Sequence, residues 1–143
     1  LFRSVLSEGG KVIGVIPQFM VDQGWNNPNS TETYVVSSMH ERKALIEKIS
    51  DGMVALPGGI GTFEEFFEIL TLKQLAQHNK PIVIYNINGF YDSMLKTLDE
   101  AISLNFINKE CIDMYPSFDN ADDVLDYIEN YEKMDLSNMK ISR

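Results

Sequence analysis

The sequence predicts an α/β domain, doubly wound, with a mostly parallel sheet and helices on both faces. Three observations lead there. Short apolar runs of strand length alternate with segments whose apolar residues recur at helical spacing. The first run, Lys11-Val-Ile-Gly-Val-Ile-Pro17, is almost continuously apolar, as suits a strand covered on both faces. At 143 residues the chain fits one domain, in which strands alternating with helices join by right-handed crossovers.

Taken in order, residues 1 to 10 read as the last turns of an amphipathic helix with a glycine C-cap, with no initiating Met and no start signal. An N-terminal piece is therefore expected to be missing. Residues 11 to 17 form the first strand. Residues 18 to 32, with Gly24, Trp25, several Asn and Pro28, form a loop with at most one helical turn. Trp25 is either a lid residue or, the favoured reading, a plug on the core. Residues 33 to 37 are the next strand, and Ser38 opens a helix to about Ser50. Ser38-Met-His-Glu41 fits a capping box, with Ser38 bonding the Glu41 N–H and Glu41 reaching back. Met53 to Leu56 is the third strand, followed by a glycine-rich loop and a helix to about Gln77. Residues 81 to 85 are a fourth strand, and a turn with Gly89 leads into a helix over residues 91 to 104. Residues 107 to 115 are expected to include a short edge strand. Asp119-Asn-Ala-Asp122 caps a last helix, and the tail after Glu132 is polar and expected to fray.

The formal net charge of −9 argues against a nucleic-acid partner, because a phosphate backbone rewards clustered Lys and Arg. No apolar run is long enough to span a bilayer, so no membrane partner is expected and the cytoplasm is the default. Cys111 is the only cysteine, and His40 and His78 lie far apart, so no metal site of zinc-ligand spacing is expected. These three read as packing or surface residues.

The chemistry concentrates in Pro57-Gly-Gly-Ile-Gly-Thr-Phe-Glu-Glu65, which joins a strand to a helix. Such a loop converges backbone N–H groups on one point ahead of a helix dipole, and its natural occupant is an anion, most often a phosphate. It is not a Walker loop, since Gly61 is followed by Thr62 and Phe63, with no lysine. Nor is it the dinucleotide fingerprint, since Glu64 stands where a third small residue belongs. Thr62-Phe-Glu-Glu65 also fits a capping box, so Glu65 has a structural reading as a helix cap beside a functional one. Glu64, Glu68 and Thr71 share a helical side away from the phenylalanines. Acidic groups beside an anion loop suit a ribose phosphate. On the Ser38 helix, Arg42 lies inside the apolar arc of Met39, Leu45, Ile46 and Ile49. Two readings stand there: a cation that meets a carboxylate or a bound anion, and a snorkelling side chain. Both helices start at carboxyl ends of strands, where ligands bind in such sheets.

Met39-His-Glu-Arg-Lys-Ala44 followed by Pro57-Gly-Gly-Ile-Gly-Thr-Phe-Glu-Glu65 closely resembles the paired signature of the Lonely Guy family, the cytokinin-activating nucleoside 5′-monophosphate phosphoribohydrolases. The likeness continues through residues 11 to 17, the Thr71 helix and residues 80 to 84, and covers most of the chain. The resemblance implies a Rossmann-like, nucleotide-monophosphate-binding domain over residues 1–132, with residues 133–143 a polar tail. It implies hydrolysis of the N-glycosidic bond of an adenosine 5′-monophosphate, preferably N6-substituted, releasing the free base and ribose 5-phosphate. By family correspondence Arg42 and Glu65 are the catalytic pair, and Lys43, Gly58, Gly59, Gly61, Thr62, Glu64 and Thr71 match ligand-contact positions. No metal or organic cofactor is needed. The partner is a small AMP-like nucleotide, and the family is typically a homodimer or higher homo-oligomer. Family members usually carry an N-terminal strand and a further glycine-rich loop before the point where this chain begins, and many have an acidic residue near the position of Gly24. Proteins of this group were once labelled possible lysine decarboxylases. A non-catalytic nucleotide or molybdenum-cofactor carrier using the same loop is the alternative.

Overall fold

A computed structural model describes residues 2–137 and divides into two compact units, Leu1–Ser50 and Asp51–Arg143. Every strand pairing in it is parallel, and helices surround the strands, so the chain is an α/β protein.

In the first unit, helix α1 (Phe2–Ser7) ends as the glycines predict. Gly9 takes a left-handed φ of 77°, and the N–H groups of Gly9 and Gly10 donate to Leu6 and Val5, closing a Schellman turn. Strand β1 (Ile13–Pro17) pairs with β2 (Glu32–Val36), Ile13 opposite Glu32 and Pro17 opposite Val36. Val15, Pro17 and Val36 are buried, but Ile13 and Val35 are about half exposed. The cover expected on both faces of β1 is thus full at Val15 and Pro17, partial at Gly14 and Ile16, and lacking at Ile13. Between them, α2 (Gln18–Asp22) is the single turn anticipated. It too closes by a Schellman turn, with Gly24 at φ 73° and the Trp25 N–H donating to Met20. Trp25 is 66% exposed, so the plug reading fails: the main chain is satisfied by this turn, and the indole is turned out. Helix α3 (Met39–Ile49) starts at Ser38, whose hydroxyl accepts from the Glu41 N–H at 3.1 Å. The returning Glu41 carboxylate bonds not Ser38 but the N–H and hydroxyl of Ser37, both at 2.7 Å. Those two donors hold the Glu41 carboxyl below its ordinary pKa.

In the second unit, β3 (Met53–Ala55), β4 (Ile82–Tyr85) and β5 (Ser117–Phe118) form one sheet in that order. Central β4 is buried, which explains its run Ile82, Val83, Ile84. Helices α4 (Ile60–Gln74), α5 (Asp92–Ser103) and α6 (Ala121–Glu129) complete the unit. Helix α4 ends three residues earlier than expected, where Ala76 turns left-handed at φ 56°. Asn120 caps α6 by accepting from the Asp123 N–H at 2.9 Å. The core joins Ala55, Phe66, Ile82, Ile84, Tyr91, Leu98, Met114 and Tyr115.

Residues 107 to 115 hold no strand. Lys109–Met114 is a 3-10 helix, because Cys111 and Met114, three residues apart, both turn into the core, a spacing that strand alternation cannot supply. The edge strand comes later, as β5. The stretch after Glu132 is not frayed as far as Leu136, which is buried in the core. Asn79 holds it: its amide donates to the Met134 carbonyl at 2.7 Å, and its carbonyl accepts from the Met134 N–H and the Tyr131 hydroxyl. Residues 138–143 of the predicted tail lie outside the described residues. Among the described residues no helix is long and apolar enough to cross a membrane.

Candidate functional site

The glycine loop of the second unit leaves β3 through Leu56 and Pro57 and enters α4 at Ile60. Gly59 is the N-cap, extended at φ −90° and ψ −161°, with no side-chain cap. The first N–H groups of a helix have no partner inside it, and the cap residue here, a glycine, has no side chain to offer one. The glycines divide the work. A Cβ at Gly58 would overlap the Thr62 hydroxyl and approach the Thr62 Cβ at 3.0 Å, so only glycine lets the loop fold back on Thr62. A Cβ at Gly59 or Gly61 would meet nothing within 4 Å. The loop therefore combines a tight internal contact with open space before an uncapped helix start, the arrangement that an anion completes.

Helix α4 begins two residues before Thr62, and this overturns one expectation. Thr62 and Phe63 both donate N–H to the Gly59 carbonyl, at 3.0 and 3.3 Å, so Thr62 lies inside the helix. The Thr62–Glu65 capping box does not form, because the glycines let the chain enter helical geometry sooner than a threonine cap would. Glu65 lies in the second turn, and the cap reading no longer accounts for it. Glu64 is exposed, Glu65 half-buried and Glu68 half-buried on the same helix. Thr71 is exposed, and its hydroxyl donates to the Phe67 carbonyl at 2.7 Å, leaving its oxygen lone pairs to accept. The opposite side packs inward: Phe66 is buried, and the Phe63 ring meets those of Phe90 and Tyr91.

In the first unit, Arg42 lies in the first turn of α3, half-buried, and its Nε donates to the Val15 carbonyl of β1 at 3.0 Å. The side chain is thus turned onto its own sheet, as its place in the apolar arc predicts, and the backbone bond fixes the plane of the guanidinium. Lys43, next to it, is also half-buried. Each helix carrying predicted residues follows the carboxyl end of a strand of its own unit, α3 after β2 and α4 after β3.

Two side chains were not singled out from the sequence. Tyr91 is buried and donates its hydroxyl to the Leu56 carbonyl at 2.6 Å, just before the glycine loop. Lys73 is fully buried, its Nζ 3.4 Å from the Met114 carbonyl and 4.8 Å from the centre of the Tyr131 ring. Burial brings its pKa down to about 8. Both partnerships are long-range, and no local pattern announces them. The Cys111 thiol is buried, and burial pushes its pKa up, so it is held as an unreactive thiol.

A profile of the protein family described as possible lysine decarboxylase matches residues 1–128. Among curated proteins, the chain is 37% identical over 132 residues to cytokinin riboside 5′-monophosphate phosphoribohydrolase LOG2 of Arabidopsis thaliana, covering 92% of this chain and 62% of that protein. It is 37% identical to the probable cytokinin riboside 5′-monophosphate phosphoribohydrolase LOGL1 of Oryza sativa subsp. japonica, over 92% of this chain and 59% of that protein. Over 108 residues it is 44% identical to the cytokinin riboside 5′-monophosphate phosphoribohydrolase of Rhodococcoides fascians, 75% of this chain and 54% of that protein. The chain spans about half to three fifths of the length of these relatives. By its match over residues 1–128 and by these relatives, the chain belongs to the family described as possible lysine decarboxylase, in its Lonely Guy branch.

Proposed function

We propose that this chain carries the catalytic motifs of a nucleoside 5′-monophosphate phosphoribohydrolase, which adds water across the N-glycosidic bond of an AMP-like nucleotide with an N6-substituted base. The observation that carries this reading is the glycine loop: Gly58 packed on Thr62, open space at Gly59 and Gly61, and a helix start without a side-chain cap. That loop suits one phosphate. Gly58, Gly59, Gly61 and Thr62 would hold it, with Lys43, Glu64 and Thr71 in contact with the rest of the ligand. The names of the relatives support the substrate class.

In the reaction the C1′–N bond of the ribose breaks, and the base leaves with the bonding pair. The sugar passes through an oxocarbenium-like state. Glu65 stabilises that charge and orients the attacking water, whose oxygen bonds C1′ and whose proton ends on the base. Arg42, its guanidinium plane set by the Val15 carbonyl, holds the substrate in register or eases departure of the base. None of these steps calls for a metal or an organic cofactor. Lysine decarboxylation, the chemistry of the family description, requires pyridoxal phosphate on a lysine at an open site. Lys73 is sealed in the core, and Lys43 beside Arg42 is better suited to an anion.

A cytoplasmic setting and a homodimeric or larger assembly belong to the same proposal, and sizing by light scattering tests the assembly. The activity is tested by incubating the full chain with AMP and with isopentenyl-AMP and measuring free base and ribose 5-phosphate. Release of both products is expected, with a loss of roughly 10²- to 10⁴-fold in kcat for Glu65→Gln. Nucleotide binding without release, indifferent to Glu65→Gln, would instead identify a carrier.

A further inference from the structure

We infer that Tyr91 is a positioning residue that fixes both ends of the phosphate loop, an inference that rests on the function proposed above. Its side chain bridges the two arms of the loop. The hydroxyl donates to the carbonyl of Leu56, the last residue before Pro57, at 2.6 Å. The flank of the ring meets Phe63, the first residue after Thr62, at 5.8 Å between centroids and 73° between planes. Residues 57 to 62 thus run between two points held by one buried side chain.

The hydroxyl bond has a clear physical reason. The last ladder pair of β3 joins Ala55 to Ile84, so the Leu56 carbonyl lies beyond the sheet. The following residue is Pro57, which donates no N–H. The Tyr91 hydroxyl supplies a donor to that carbonyl, and it does so from a site that cannot drift. The Tyr91 N–H donates to the Asn86 side-chain carbonyl at 2.7 Å. The Asn86 amide in turn donates to Asp92 at 2.7 Å. Gly89, at φ 71°, closes the turn over Asp92, whose carboxylate would meet an added Cβ at 2.5 Å. The Phe90 ring stands edge-on to Tyr91 at 4.9 Å and stacks near Phe63 at 6.5 Å. Tyr91 does not reach the reacting atoms. It acts through the loop, by keeping Leu56 and Phe63 where the intervening N–H groups converge, so that the ordering cost is met in folding and not at binding.

A loop that must order on binding lowers affinity for the phosphate end of the substrate and leaves bond cleavage largely intact once it is bound. Tyr91→Phe keeps the ring and removes the hydroxyl. In the full chain it is expected to raise KM for isopentenyl-AMP and the inhibition constant for ribose 5-phosphate together, by about tenfold, the scale of one hydrogen bond, with kcat within about threefold. Phe63→Leu, which loosens the other arm, should move both constants the same way. Cys111→Ala, a core truncation outside the loop, should lower the melting temperature and leave both constants alone. If wild type turns over and Tyr91→Phe leaves KM and the inhibition constant unchanged, or shifts them no more than Cys111→Ala does, the inference is overturned. If wild type binds ribose 5-phosphate without turnover, the hydrolase reading fails, while the same shift in ribose 5-phosphate affinity still supports or overturns the role of Tyr91. If wild type neither cleaves nor binds it, both fall.

Discussion

Replacing Lys73 by Met should stabilise the protein at neutral pH, and the gain should vanish in alkali. The ammonium lies inside the second unit against a carbonyl and a phenol ring, neither of which carries a full charge. Burial therefore dominates and lowers its pKa from 10.5 to about 8. The folded protein binds this proton less tightly than the unfolded chain. Above the unfolded value both states are neutral, and nothing is lost. As pH falls from 10.5 the penalty grows, and below about 8 it is complete. The gap corresponds to roughly 3 kcal/mol. Losing the contacts with Met114 and Tyr131 takes back about 1 kcal/mol. Lys73→Met should then gain about 2 kcal/mol near pH 7, the difference shrinking steadily towards pH 10. Urea unfolding of both proteins between these limits measures it. The difference between the two curves is the quantity to follow. Tyr115 and Tyr127, both pushed up to about 12 by burial, lose stability in alkali in both proteins and cancel. A variant less stable than its parent near neutrality, or a difference that does not change with pH, would refute the reasoning.

Gly58→Ala forces a Cβ onto the Thr62 side chain. Calorimetric titration should show ribose 5-phosphate affinity falling by about tenfold or more as the loop opens to relieve the overlap. Ser38→Ala removes the acceptor of the Glu41 N–H. It should cost about 1 kcal/mol in denaturant unfolding while leaving the Glu41 carboxylate on Ser37.

Elements whose cause is local were legible. The Schellman turn at Gly9, the Ser38 and Asn120 caps, and the strands around Val15 and Val83 follow from neighbouring residues, and each falls within a residue or two of its expected place. Where two local rules competed, sequence reasoning chose the wrong one. Thr62 looked like a cap, but the glycines before it let the helix begin at Ile60. Residues 107 to 115 looked like an edge strand, but the core required Cys111 and Met114 on one side of a tight turn. Trp25 looked like a plug, yet a turn closed by Gly24 satisfied the loop without it. Of the candidate site, the motif residues and the inward turn of Arg42 could be read from spacing. The hydroxyl of Tyr91 on Leu56, 35 residues away, could not, because side-chain-to-backbone bonds of that range leave no periodic trace.

The bonding of Asn79 to residues 131 to 134 also bears on the order in which the molecule is made. The core of the second unit draws on Ala55 near its beginning and on Leu136 near its end. On a ribosome these residues are made one after another, Ala55 well before Leu136. The second unit cannot seal its hydrophobic centre until Leu136 has emerged and Asn79 has closed on Met134. The glycine loop, whose own residues precede Asn79 and Leu136 in the chain, therefore waits on those later residues before its surroundings are fixed.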